Sequence, residues 1–141
     1  MWEFIQGLLF ANVFMIAGPG DFAPGNHRLE LKEPISAISE TASFRLDITN
    51  MVPEDARTLE KSRAWIRSTF PDHSVRATLH SADGAEVNLA FDGATSWNTA
   101  SIQLIIRAPE GVPKGVSYSS ASLSTDLQLR QVKVLWANYK P

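Results

Sequence analysis

Histidine and acidic side chains are the first candidates for chemistry in this chain. It has three histidines and no cysteine, which excludes disulfides, thiolate metal sites and a cysteine nucleophile. Asp72, His73 and His80 would meet around a metal ion only if the loop holding the first two folded back over the strand holding His80. Their spacing matches no standard site. We therefore predict no metal site and no cofactor.

A serine nucleophile is the next option. Ser119 lies in the run SYSSASLST and could be combined with His73 and Asp72 into a Ser-His-Asp set. The run lacks the G-x-S-x-G turn that exposes such a serine, and alternating serines are typical of the polar face of a strand. The stretch GVPKGVS also lacks the spacing of a phosphate-binding loop. We predict that the chain is not an enzyme.

Exposed aromatic side chains could bind a sugar or anchor a protein partner. Trp97 lies in the polar stretch GATSWNTAS, and Tyr118 and Tyr139 fall near predicted strand ends. These three residues form the predicted ligand or partner surface. Trp65 and Trp136 are interpreted as core residues.

Length and charge limit the functional classes. A chain of 141 residues with 44% hydrophobic residues suits one folded domain plus an appendage. Thirteen basic and fifteen acidic side chains are interspersed and give a net charge of −2. No basic run provides the electrostatic footprint of a phosphate-backbone binder, so we predict no nucleic-acid partner.

Apolar residues alternate along most of the chain, as in half-buried strands. The runs SVRATLH and EVNLAF flank Asp83-Gly84 and predict a β-hairpin. Asp92-Gly93 predicts a second turn, and Ile102, Leu104 and Ile106 a further strand.

Two segments depart from simple alternation. The buried parity shifts at Arg130-Gln131, which predicts a β-bulge or tight bend. The stretch PEDARTLEKSRAWIRSTF predicts a short helix beginning at Pro53, with Ala56, Leu59 and Ile66 on one stripe. Its last part, RAWIRSTF, could equally be a strand.

These patterns predict a mainly β fold over residues 28–141, an antiparallel β-sandwich of immunoglobulin-like general architecture. It would carry one N-terminal apolar helix and one short helix. The cysteine and tryptophan landmarks of true immunoglobulin domains are missing.

The opening stretch MWEFIQGLLFANVFMIAGPG is apolar with few polar residues. It is predicted to form a helix over 1–18, of which Trp2 to Ala17 would extend roughly 24 Å, short of a hydrocarbon core about 30 Å thick. We predict a membrane anchor, followed by a Pro/Gly-rich linker over 19–27. An apolar docking or core segment and an export signal are the alternatives, although Glu3 stands where a signal has a basic residue. The predicted membrane or partner contacts are Trp2, Phe4, Leu8, Leu9, Phe10, Val13, Phe14 and Ile16.

The functional hypothesis that follows is a non-enzymatic, membrane-anchored accessory or assembly subunit of a larger protein complex. Its partners would be membrane proteins or copies of itself, and the side of the membrane is not predicted. A filament or structural subunit that self-assembles through the apolar segment is one alternative. A carbohydrate-binding or other ligand-binding module centred on Trp97 is another.

Overall fold

The computed structural model describes residues 12–39 and 41–138, and the fold is mainly β with antiparallel strands and one α-helix in this part of the chain. The strands are β1 (Asn12–Phe22), β2 (Gly25–Leu29), β3 (Ile35–Ser36), β4 (Ser43–Asp47), β5 (Val75–Ser81), β6 (Glu86–Trp97), β7 (Ile102–Arg107), β8 (Ser117–Thr125) and β9 (Leu129–Asn138). The helix is α1 (Leu59–Thr69), and a 3₁₀ turn (Glu54–Ala56) precedes it. The predicted fold class is confirmed at the level of a mainly β, antiparallel fold.

All nine strands belong to one sheet whose order is β1-β9-β4-β7-β6-β5-β8-β2, and β3 also pairs with β8. The two strands at the ends of this order, β1 and β2, are separated in the chain only by Ala23 and Pro24. The sheet therefore curls round until its ends lie near each other, and it nearly closes like a barrel.

The core is built from the apolar set of each alternating strand. Leu104 and Ile106 of β7 are fully buried, and Phe44 and Trp136 stack edge-to-face with ring centroids 5.2 Å apart. Burying such large aromatic and aliphatic side chains is the main favourable contribution to folding. The predicted core assignment of Trp136 is confirmed, and Trp65 packs against the core from α1 with part of its surface exposed.

The β5–β6 hairpin forms as predicted, with Ala77 opposite Leu89 and Leu79 opposite Val87. Gly84 provides the positive φ that the turn requires. The Ser81 hydroxyl donates a hydrogen bond to the Asp83 carboxylate, which lowers the pKa of Asp83 below its ordinary value.

The second predicted turn, at Asp92-Gly93, is wrong. Both residues lie inside β6, where the pairing with β7 shifts register between Phe91 and Thr95. A β-bulge uses glycine at positive φ just as a hairpin turn does, and Gly93 has a φ of 99°. An Asp-Gly pair therefore indicates a glycine at positive φ, which is compatible with either a hairpin turn or a β-bulge.

The predicted irregularity in the last strand is confirmed. Leu129 and Val132 are both fully buried although their parity differs, and Gln131 between them has a φ of 51°. The Gln131 backbone N–H donates to the Asp21 carboxylate at 2.8 Å, so β1 helps to hold this bend.

The short helix is present but starts later than predicted. Thr58 caps α1 by accepting a hydrogen bond from the Lys61 backbone N–H at 3.3 Å. Pro53 precedes only the 3₁₀ turn, and the helix includes most of RAWIRSTF. Of the predicted apolar stripe, Ile66 is buried while Leu59 is exposed.

The prediction of an N-terminal helix over 1–18 is wrong for the described part of that segment, which is a strand. Residues from Asn12 onward form β1 and pair with β9, and residues 1–11 lie outside the described part of the chain. Length and hydrophobicity alone do not separate a short apolar helix from an apolar strand. Most of the predicted linker over 19–27 also lies in β1 and β2. In residues 12–39 and 41–138, no helix has the length and hydrophobicity needed to cross a membrane.

Candidate functional site

Strand β1 is an edge strand, and its exposed side chains make it the candidate site. One edge pairs with β9, whereas within the described chain no strand pairs with the other, which we call the free edge. Val13, Phe14 and Met15 are 44%, 42% and 53% exposed, respectively. A sheet edge leaves backbone N–H and C=O groups without strand partners, so it is a natural place for another chain to bind.

A groove of about 460 Å³ runs beside the first half of β1. We call it the seam groove because it lies where the curled sheet fails to close. One wall is residues 14–18 of β1, and the other is the connection between β2 and β3, residues 30–35. Leu31 and Pro34 contribute apolar surface, while Glu30, Lys32 and Glu33 bring both signs of charge to the second wall.

Another exposed apolar residue lies at the same end of the sheet. The Ile38 backbone N–H donates to the Asn138 side chain at 2.7 Å, and Asn138 pairs with Asn12 at the start of β1. Ile38 is 44% exposed. This end of the sheet therefore carries exposed apolar side chains on β1 and on the segment that follows β3.

Of the predicted membrane or partner contacts, the structure places three on β1. Val13 and Phe14 are exposed, and Ile16 is half-buried against the core. The others lie outside the described residues, namely Trp2, Phe4, Leu8, Leu9 and Phe10. The predicted helix is thus a strand from Asn12 onward, the predicted contact role of these residues stays a prediction, and sequence reasoning did not find the wall formed by residues 30–35.

The described aromatic residues of the predicted ligand surface do not form a shared exposed surface. Tyr118 is fully buried, so it offers no surface to a ligand. Trp97 is half-buried against the core, and its indole N–H donates to the Arg57 carbonyl oxygen at 3.0 Å. Tyr139 lies outside the described residues. Trp97 therefore ties the segment before α1 to the end of β6.

The polar candidates are scattered. His27 contacts the Ala23 carbonyl oxygen at 2.6 Å, and His80 lies 3.5 Å from Glu86 on the outer face of the hairpin. No hydrogen bond joins Ser119, His73 and Asp72 in the described structure. Residues 12–39 and 41–138 contain no group of three His, Asp or Glu side chains that could hold a metal ion.

A second concave surface, which the sequence did not reveal, lies between α1 and the bulge of β6. We call it the helix cleft. It has a volume of about 420 Å³, and Arg63, Arg67 and Asp72 line it together with Gly93 and Thr95. Its floor is apolar and is formed by Ile66, Phe70 and Phe91.

Comparison with known proteins identifies no family for this chain. No family model matches it, and no curated protein matches it. Among solved structures, that of AlgX from Pseudomonas aeruginosa resembles it with a TM-score of 0.40 and 9% sequence identity. The alignment covers 94% of this chain and 27% of AlgX, so the chain spans about a quarter of that protein's length. A likeness this low supports no inference about function.

Proposed function

We propose that this chain is an assembly subunit rather than an enzyme, and that it associates with a second copy of itself through the free edge of β1. The observation that carries the proposal is the run of exposed apolar side chains on an unpaired sheet edge. Of the five large hydrophobic residues that are exposed in the described chain, three are the consecutive residues 13–15, and Ile38 lies at the same end of the sheet.

Isolated exposed apolar side chains are ordinary, but a contiguous group on a free edge is not. Natural proteins protect free edges with charged side chains, proline, bulges or a covering segment. From Asn12 to Met15, before the first register shift with β9, strand β1 carries no charged residue, no proline and no bulge. This edge is therefore suited to pairing with another strand.

A second copy suits this edge for reasons of symmetry and charge. Two β1 strands related by a two-fold axis would pair antiparallel and extend the sheet across the interface. Because residues 12–17 are uncharged, no like charges would be placed opposite each other along the new pairing. The seam groove would receive apolar side chains of the entering strand.

The test is the molar mass of the full chain in detergent-free buffer, measured by size-exclusion chromatography with light scattering. We expect a dimer or larger assembly that Met15→Lys converts to monomer. Met15 is 53% exposed, so the substitution places a charge at the edge without disturbing the core. Leu59→Lys is the matched control because Leu59 is an exposed apolar residue on α1, away from this edge. A monomeric wild type, or an assembly that Met15→Lys leaves intact, would rule the proposal out.

A membrane surface is a second candidate for what covers this patch, because residues 1–11 add an apolar run immediately before the exposed start of β1. In this version the chain is a membrane-associated accessory subunit. Flotation of the full chain with phosphatidylcholine–phosphatidylglycerol vesicles distinguishes membrane attachment from self-assembly. A wild type that is monomeric in buffer but floats, and that Met15→Lys releases, would replace self-assembly with membrane attachment.

We also propose a finer description of the fold. The strand order divides into the layers β1-β9-β4-β7 and β2-β8-β5-β6, which are joined by the β6–β7 pairing. Interleaved strands of this kind are the pattern of a jelly-roll sandwich, in place of the immunoglobulin-like architecture predicted from the sequence. In such a fold β1 is the outer strand of one layer, and a strand added to it would lie in the seam groove.

A further inference from the structure

The helix cleft is independent of the β1 edge and lies on other elements. Arg63 and Arg67 are four residues apart on α1, so their side chains lie on one face of the helix. Both are exposed, and both line the cleft. Two like charges at this spacing destabilise a helix slightly, so their presence is not explained by helix stability.

Neither guanidinium group has a partner within the described structure. Two other exposed arginines of the described chain do form ion pairs, Arg76 with Asp126 at 3.0 Å and Arg107 with Asp92 at 2.9 Å. Arg63 and Arg67 form no hydrogen bond or ion pair with any described residue. Their ten N–H donors are therefore available to a ligand in the cleft.

The cleft also contains an acceptor. Asp72 lines it, and one Asp72 carboxylate oxygen lies 4.0 Å from the point where a side chain on Gly93 would begin, which places it beside the bulge of β6. This carboxylate forms no ion pair with Arg63 or Arg67, although all three line the same cleft. The cleft thus presents both cationic donors and a carboxylate acceptor.

The floor between them is apolar and well packed. Phe70 and Phe91 are buried, with ring centroids 6.3 Å apart, and Ile66 of α1 lies beside them. These buried side chains give the cleft an apolar floor against which the carbon skeleton of a small molecule could pack. The volume of about 420 Å³ lies within the range of small-molecule sites.

We propose that the helix cleft binds a small molecule that carries an oxyanion, either a carboxylate or a phosphate, and a hydroxyl group. The oxyanion would lie between Arg63 and Arg67, whose planar forks match its geometry. The hydroxyl would donate to Asp72. This site requires neither the self-assembly of the chain nor a membrane.

The test uses two-dimensional NMR of the full chain titrated with inorganic phosphate, malonate or glycerol 3-phosphate at constant ionic strength. We expect saturable shifts of the Gly93 and Thr95 amides. A larger effect of phosphate than of malonate would identify a phosphate ligand, and the reverse order a carboxylate. Tighter binding of glycerol 3-phosphate than of inorganic phosphate is expected from the hydroxyl contact, and the difference should be lost in Asp72→Ala, which removes the acceptor.

Substitutions distinguish specific binding in the helix cleft from non-specific electrostatic attraction of anions to the protein surface. Arg63→Gln and Arg67→Gln should each weaken binding by about tenfold or more, because a charge-assisted hydrogen bond is lost. Arg130→Gln is the matched control, since Arg130 is also exposed and without a described partner but lies on strand β9. Arg67→Lys keeps the positive charge but loses the planar guanidinium group, so this variant should bind the oxyanion with intermediate affinity. No saturable shifts, or equal weakening in Arg130→Gln, would overturn the proposal.

Discussion

At the scale of single residues, Tyr118 shows how position changes the chemistry of a side chain. It was predicted to be a contact surface but lies fully inside the core on β8. Burial raises the pKa of its phenol above the ordinary value, because the phenolate would lose its hydration. The neutral form is therefore the one compatible with the fold.

This gives a pH-dependent stability with a definite sign. An acid whose pKa is raised in the folded state keeps its proton there while the unfolded chain releases it near pH 10. Stability is unaffected below that range and falls as the pH rises through and above it. In urea unfolding, we expect the wild type to lose stability relative to Tyr118→Phe between about pH 8 and about pH 11.

The comparison with the variant isolates Tyr118 from lysines and other groups that titrate in the same range. Near neutral pH the two proteins should differ by only about 1 kcal/mol, because the phenylalanine ring fills almost the same volume. Parallel stability curves across the whole pH range would contradict the account.

Trp97 makes a long-range contact that its sequence neighbours do not predict. Its polar neighbours in GATSWNTAS favoured an exposed loop, yet it ends β6 and donates to the carbonyl oxygen of Arg57. The two residues are forty positions apart in sequence, so no local pattern indicates their contact. The unpaired arginines of the helix cleft were missed for the same reason, since their significance depends on the distant bulge of β6.

At the scale of elements, β1 has three irregularities in its pairing with β9. Its register with β9 shifts between Met15 and Ala17, between Ala17 and Gly20, and between Gly20 and Phe22. Gly18 has a φ of 101°, and a Cβ there would collide with the backbone carbonyl oxygen of Val132. Only glycine fits this position without strain.

Gly18→Ala is therefore expected to destabilise the fold by at least about 1–3 kcal/mol, through backbone strain and the steric collision. Gly20→Ala is the matched control, because a Cβ on Gly20 would meet nothing within 4 Å. It should change stability by less than about 0.5 kcal/mol. The measurement is the free energy of unfolding in urea, and equal effects of the two substitutions would show that β1 does not pass Val132 this closely.

Elements with strong local periodicity could be predicted, and those fixed by distant pairing could not. The β5–β6 hairpin, strand β7 and the bend at Gln131 follow from alternation and turn chemistry in a few residues. The opening segment is largely apolar, so its hydrophobic residues show neither the helical nor the strand periodicity. From Asn12 onward it forms a strand that pairs with β9, more than one hundred residues later in the chain.

At the scale of the whole molecule, the curled sheet leaves one seam between β1 and the β2–β3 connection. A closed barrel has no edges, whereas this sheet ends in a strand whose exposed side chains are apolar. The position of the seam, and hence of the candidate site, depends on the full strand order. For that reason the sequence predicted an apolar contact segment but not the groove beside it.

The central claim is that the free edge of β1 is the surface through which the chain assembles. Hydrogen–deuterium exchange of the full chain, followed by mass spectrometry at increasing protein concentration, tests it most directly. We expect those amides of residues 13–17 that do not bond to β9 to become protected as the concentration rises, because their N–H groups would pair with a second β1. The segment Leu59–Thr69 of α1 should exchange at a constant rate and serves as the internal reference. Unchanged exchange in β1 at concentrations where light scattering shows an assembled protein would contradict the claim.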